Sequence, residues 1–170
     1  MDAYLAVTSK REVREYAQRP LPDDAVRRIL DAGRVTGSSR NRQARRFVAL
    51  RDEALIERAS SGVYSPGNLL GAAVVVAILT RGKGPTSFDA GRAAQNMMLA
   101  AWNEGIGSSP NGIADAGALA DVLEHGEDES VVILLSFGYP ARPVDPERRS
   151  AQEWIERADR RPYEEIVQER

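Results

Sequence analysis

The stretch at positions 87–113, SFDAGRAAQNMMLAAWNEGIGSSPNGI, constrains this chain more than any other. Ala90, Ala94, Met97 and Ala101, with Ala93, Met98 and Ala100, place apolar side chains at helical spacing over almost the whole circumference. A helix of that kind is covered on most of its sides. Its alanines let neighbouring backbones approach closely. Ser87 or Asp89 can cap its first turn, and Gly105 followed by Gly107 stops it where a residue of positive φ is usual. Ser108, Ser109, Pro110, Asn111 and Gly112 then read as a tight turn of exposed backbone amides. Such a turn can hydrogen-bond a flat heteroaromatic cofactor without a charged side chain; a helix cap and loop with no ligand is the alternative.

Two other stretches read as strands covered on both faces, because their apolar residues run on without alternation. They are residues 72–79 and 130–137, the second stopped by Gly138-Tyr139-Pro140. Residues 47–50 form a shorter strand. Helices are predicted over residues 2–8, from Leu21-Pro22-Asp23-Asp24 to Gly33, over 52–59 and over 115–125. In the last of these Leu119, Val122 and Leu123 point inward, and His125 sits near the C-terminus, where a cation suits the helix dipole. Lys10, Arg11 and Arg14 concentrate charge just after the first helix, as a solvated face or as a phosphate contact. The polar loop at 35–43 offers Ser38, Ser39, Asn41 and Gln43 as donors and acceptors ahead of a strand. Beyond Ala141 the chain is Arg-rich, with only Trp154, Ile155, Tyr163, Ile166 and Val167 as apolar anchors. That is too little for a core of its own, so this tail is predicted to lie on a partner subunit.

Composition narrows the function. At 170 residues the chain has room for a single domain with a sizeable core. A net charge of −2 gives no basic surplus for nucleic acid or anionic membranes. The absence of cysteine removes disulfides, thiol nucleophiles and thiolate metal sites, and a lone histidine argues against a histidine-ligated metal or a Ser-His triad. The N-terminus reads as neither signal peptide nor anchor, and the longest apolar run is too short to span a bilayer. A cytoplasmic protein is the expectation.

Taken in order, these segments resemble the FMN-dependent nitroreductase family in its short form. Residues 10–16, Lys-Arg-Glu-Val-Arg-Glu-Tyr, stand where the family has Arg-Arg-Ser-x-Arg-x-Phe. Residues 37–47 match its Pro-Ser-Ser-x-Asn-x-Gln-Pro-Trp-x-Phe segment, residues 89–101 its central helix, and Gly105-Ile106-Gly107 its Gly-hydrophobic-Gly turn. Residues 135–140 and 161–167 are similar to its last strand and terminal segment. The resemblance implies an α+β three-layer sandwich with a central, mainly antiparallel sheet flanked by helices. It also implies an interlocked homodimer: one domain over residues 1–170, with 141–170 packing on the partner and an FMN in each interface site.

Carried over position by position, Lys10, Arg11, Arg160 and Arg161 would hold the phosphate. Ser38, Ser39, Asn41 and Gln43 would reach the ribityl chain and ring, partly from the second subunit, and Pro110, Asn111 and Gly112 would lie along the flavin with a backbone N–H near N5. The implied activity is ping-pong hydride transfer from NADH or NADPH through FMN to a nitroaromatic, quinone or activated alkene, with no catalytic side chain and no metal. Three departures stand out: Glu12 in place of a serine, Ala44-Arg45 in place of Pro-Trp, and only Asn68 where the family often has Asn and Lys before the second strand. Glu12 and the missing Lys keep open a flavin-sequestering protein without turnover; a degenerate domain without flavin and a deazaflavin in place of FMN are further alternatives.

Overall fold

The computed structural model describes residues 1–170, which fall into two compact units, Arg11–Val144 and Met1–Lys10 with Asp145–Arg170. The larger unit is built on a four-stranded sheet of β1 (Arg45–Leu50), β2 (Val74–Arg81), β3 (Gly107–Asn111) and β4 (Glu129–Gly138), in the order β1-β2-β4-β3 and antiparallel throughout. Around it stand α2 (Asp23–Arg34), α3 (Glu53–Ser60), α4 (Thr86–Asn103) and α5 (Gly117–Leu123). The α1 helix (Ala3–Ser9), α6 (Ala151–Glu156) and α7 (Tyr163–Ile166) belong to the smaller unit.

The unbroken apolar run of β2 supplies two cores because alternate side chains leave opposite faces of a strand. Val74, Val76 and Ile78 pack with Leu135, Phe137 and the α2/α4 layer, where Ile29, Ala90, Met97 and Ala101 are buried. Val75, Ala77 and Leu79 pack with Leu134 and the α3/α5 layer through Ile56, Ala59, Leu119 and Leu123. The result is three layers. Between Ile78 and Leu79 the register with β4 slips, and Val132 and Ile133 both turn toward the α4 side, as a bulge requires.

The central helix ends as its sequence predicts, at a Gly105 with φ of +72°. Its start differs. Pro85 is the N-cap, with no side-chain cap, and Asp89 is buried and accepts a hydrogen bond from the Ser39 N–H at 3.0 Å. Gly33 does not end α2, which continues to Arg34; a Cβ there would collide with the Met97 side chain, so this glycine permits close approach of α2 to α4. The helix predicted over 115–125 is shorter, from 117 to 123: Asp115 Oδ1 accepts from the Gly117 and Ala118 N–H groups, and Glu124 caps the end at φ +46°. His125 lies beyond it and bonds the Gly126 carbonyl oxygen through Nδ1.

In the smaller unit α1 packs against α6 and the turn Pro146–Arg148. Trp154 is buried, donates from Nε1 to the Pro146 carbonyl at 2.8 Å, and lies under the Arg148 and Arg149 guanidinium groups. It is therefore an anchor within its own chain, whereas Tyr163, Ile166 and Val167 are exposed.

Candidate functional site

The segment predicted to be an exposed amide turn is a buried edge strand. Ser108, Ser109 and Asn111 of β3 are at most 3 % exposed, and only Pro110 reaches the surface. Pairing with β4 accounts for this: Ser108 opposes Phe137, and Ser109 opposes Ser136. Gly-Ser-Ser-Pro-Asn has the composition of a turn, but an adjacent apolar strand gives its backbone a ladder to join.

The Asn111 amide nitrogen donates to Ser109 O at 3.0 Å, Leu134 O at 3.2 Å and Ser136 Oγ at 3.3 Å. The Ser136 hydroxyl also meets the Tyr16 hydroxyl at 2.9 Å, and Tyr16 donates to the Val13 carbonyl at 2.7 Å. Burial pushes the Tyr16 phenol up to about 12, partly offset by the Ser136 hydrogen bond. Ser108 Oγ, Ser109 Oγ and Asn111 Oδ1 are buried without a hydrogen-bond partner, an unusual concentration on one strand. Gly112 is exposed with an ordinary φ, and a Cβ on it would meet the Tyr64 ring at 3.3 Å. Its backbone therefore does not require glycine.

On its outer edge β3 carries the N-terminal segment of the larger unit. Glu12 pairs with Ser108 in a parallel bridge, and the Val13 N–H donates to Ser108 O at 3.0 Å. Tyr16 pairs with Pro140. This fixes Arg11 at the β3 edge with its side chain half-buried. A cavity of about 380 Å³ opens beside it, lined by Glu12, Val13, Arg14, Pro140 and Arg142. A larger one of about 620 Å³, lined among others by Gln18, Arg19, Ile56, Leu70 and Gly71, contains none of the predicted cofactor residues. The smaller one is nearer the cation and the buried polar strand, but its lining likewise includes none of the predicted cofactor residues and sets Glu12 and Glu15 beside Arg14 and Arg142.

The loop of Ser38, Ser39, Asn41 and Gln43 stands at the far end of the sheet. Ser38 Oγ accepts from the Gln43 N–H at 2.9 Å, and Arg40, Asn41 and Gln43 adopt φ values of 52°, 53° and 51°. Left-handed backbone at three non-glycine positions costs energy and marks a loop held in place by its surroundings. Arg45 does the holding: its guanidinium donates to the carbonyls of Thr36, Gly37 and Asp89. Burial lowers its pKa from the ordinary arginine value, with Asp89 opposing that shift. Arg45 and Asp89 were not among the predicted site residues; an acid on an otherwise apolar helix face was the signal for Asp89.

The strand register separates the two sets. Arg45 aligns with Thr80 and Ser130, and Ser108 with Phe137. At ~3.3 Å per residue and ~4.8 Å per strand, the loop and the Arg11 edge lie on the order of 25 Å apart within one chain. Lys10, Arg160 and Arg161 belong to the smaller unit, where Arg160 donates to the Ala158 carbonyl and Arg161 is exposed.

An antiparallel sheet between two helical layers, with a cationic segment laid along a polar edge strand, defines the fold class. Residues 7–65 and 61–139 match the Nitroreductase family, and the chain belongs to it. A candidate NADH dehydrogenase/NAD(P)H nitroreductase of Archaeoglobus fulgidus is 28 % identical over 168 residues, spanning 87 % of this chain and 96 % of that protein. Among solved structures, a candidate nitroreductase of Desulfovibrio desulfuricans in complex with FMN is 26 % identical, covers 100 % of this chain and 98 % of its own, and superposes with a TM-score of 0.84. A nitroreductase family protein of Clostridium difficile 630 shares the fold at 21 % identity and a TM-score of 0.84, over 99 % of this chain and 98 % of that one. No helix is long and apolar enough to cross a membrane.

Proposed function

We propose that this chain is a cytoplasmic FMN-dependent oxidoreductase that takes a hydride from NADH or NADPH and passes it, in a ping-pong cycle, to an electron-poor acceptor such as a nitroaromatic, quinone or activated alkene. The observation that carries this reading is the edge of β3, where a half-buried arginine segment, backbone amides and buried unpartnered polar atoms come together. The residues fit the cofactor by chemistry: Arg11 with Lys10, Arg160 and Arg161 for the phosphate, and Ser38, Ser39, Asn41 and Gln43 for the ribityl hydroxyls. The backbone of Pro110, Asn111 and Gly112 serves the ring.

One flavin cannot touch a loop and an edge on the order of 25 Å apart, so we place each site between the loop of one copy and the β3 edge of another, in an isologous homodimer. In this arrangement residues 141–170 dock on the partner through Tyr163, Ile166 and Val167. The flavin supplies the hydride chemistry when bound. The chain's own part is to neutralise the phosphate, to hold the ring against β3, and to keep one face open to reductant and acceptor in turn. No side chain has to exchange a proton with the substrate.

The deciding measurement is the visible spectrum of the purified protein before and after anaerobic addition of NADH or NADPH. Yellow protein that bleaches is the expected result. Yellow without bleaching would favour sequestration, and colourless protein that takes up no added FMN would sink the flavin reading.

A further inference from the structure

The loop entering β1 carries more positive charge than its fold uses. Between Ser38 and Arg46 the sequence has four arginines and no acid. Two are engaged: Arg45 by the carbonyls of Thr36, Gly37 and Asp89, and Arg46 by Glu129 at 2.6 Å. Arg40 and Arg42 are exposed. Arg42 Nη1 donates to the Lys83 carbonyl at 2.9 Å, which ties the loop to the β2–α4 connection without neutralising the charge. On the other side the Arg92 guanidinium lies 3.3 Å from the position a Gly37 Cβ would take. Arg40, Arg42, Lys83 and Arg92 are all outside the ion pairs of the molecule. The nearby acids do not offset them. Asp89 is 6 % exposed and faces the Ser39 N–H, Glu129 is held by Arg46, and Asp128 lines a separate cavity with Arg81.

We infer that Arg40, Arg42, Lys83 and Arg92 form a recognition site for a phosphate monoester dianion. Resting on the flavin reading above, its ligand is the 2′-phosphate of NADPH, which the site selects over NADH. Guanidinium forks match phosphate oxygens in pairs, and several unneutralised cations around one loop suit a doubly charged group better than a single carboxylate. The left-handed backbone at Arg40 and Asn41 and the bond from Arg42 to Lys83 hold the loop in position before any ligand arrives, which lowers the entropy lost on binding. The same loop carries Ser38, Ser39, Asn41 and Gln43, so the phosphate would be gripped beside the segment that the flavin reading assigns to the ribityl chain. The pyrophosphate common to both nicotinamides gives no such discrimination.

The test is calorimetric titration of the purified protein with adenosine 2′,5′-bisphosphate and with adenosine 5′-monophosphate, beside kcat/KM for NADPH and NADH. The bisphosphate is expected to bind at least about tenfold more tightly, with a preference that shrinks as salt is raised. Arg40→Asn with Arg42→Gln should remove that preference and the matching NADPH preference; asparagine is chosen because it tolerates positive φ. If that variant does not fold, Lys83→Gln with Arg92→Gln asks the same question from outside the strained loop. Equal affinity for the two nucleotides in the parent, or a preference that survives in a folded variant, overturns the proposal. So does a variant that binds FMN more weakly but riboflavin as before, because the patch would then hold the flavin's own phosphate. A bisphosphate preference in a protein that takes up no flavin would keep the phosphate site and sink the oxidoreductase. A bleachable yellow protein with no preference would do the reverse.

Discussion

Tyr16 places a phenol at 8 % exposure between β4 and the backbone it donates to, and this has a measurable electrostatic result. Burial favours the neutral phenol, so the folded-state value of about 12 lies above the value of 10.0 for the free group. A group whose folded value is raised binds its proton more tightly in the native state. Its stabilisation is therefore complete below about pH 10 and is lost as pH rises from there toward about 12. Tyr16→Phe should flatten the fall in urea midpoint over that alkaline window, at the cost of the bonds to Val13 and Ser136; an unchanged slope would mean the phenol is solvated. Asn111 makes a second case. Because its amide bonds two carbonyls and the Ser136 hydroxyl, Asn111→Ala should lower stability by about 1–3 kcal/mol, read from denaturant midpoints. The resemblance set Asn111 along the flavin; its side chain points into the protein and ties β3 to β4, which leaves its backbone for that role.

Among the elements, those with a continuous apolar pattern were legible. Residues 72–79 and 130–137 are apolar apart from Ser130 and Ser136, and they became β2 and β4 with small shifts at their ends. The central helix was legible for the same reason, and Gly105 because its φ is positive. β3 was not, because its residues gain strand geometry only from Phe137, Ser136 and Leu134 alongside. The loop at 38–43 could be read for its hydroxyls and amides but not for its strain, which depends on Arg45 and Asp89 arriving from separate elements. One substitution tests the edge strand directly. A Cβ on Gly107 would come within 2.6 Å of Val13 Cβ, a clash that no rotamer relieves. Gly107→Ala should push the Arg11 segment off β3, lower the melting temperature by several degrees and, on the flavin reading, weaken FMN binding at least about tenfold. A variant with the parent's melting temperature and flavin affinity would show that this contact is dispensable.

At the scale of the molecule, the flavin reading makes assembly the decisive property, because the cationic residues it uses are divided between two compact units and two ends of a sheet. Truncation after Pro140 should abolish dimerisation and flavin binding together, as followed by light scattering and absorbance; a flavin-loaded monomer would refute the shared site. The bond from Val13 N–H to Ser108 O also has a consequence for how the protein is made. On the ribosome the arginine segment leaves the exit tunnel early, but the strand it must lie against is synthesised far later, and that strand needs β4, later still. On the flavin reading, the nascent chain therefore holds its first cofactor contact open until nearly the whole larger unit has emerged. Loading belongs to the finished polypeptide, and a ribosome stalled before Gly138 should carry no pigment.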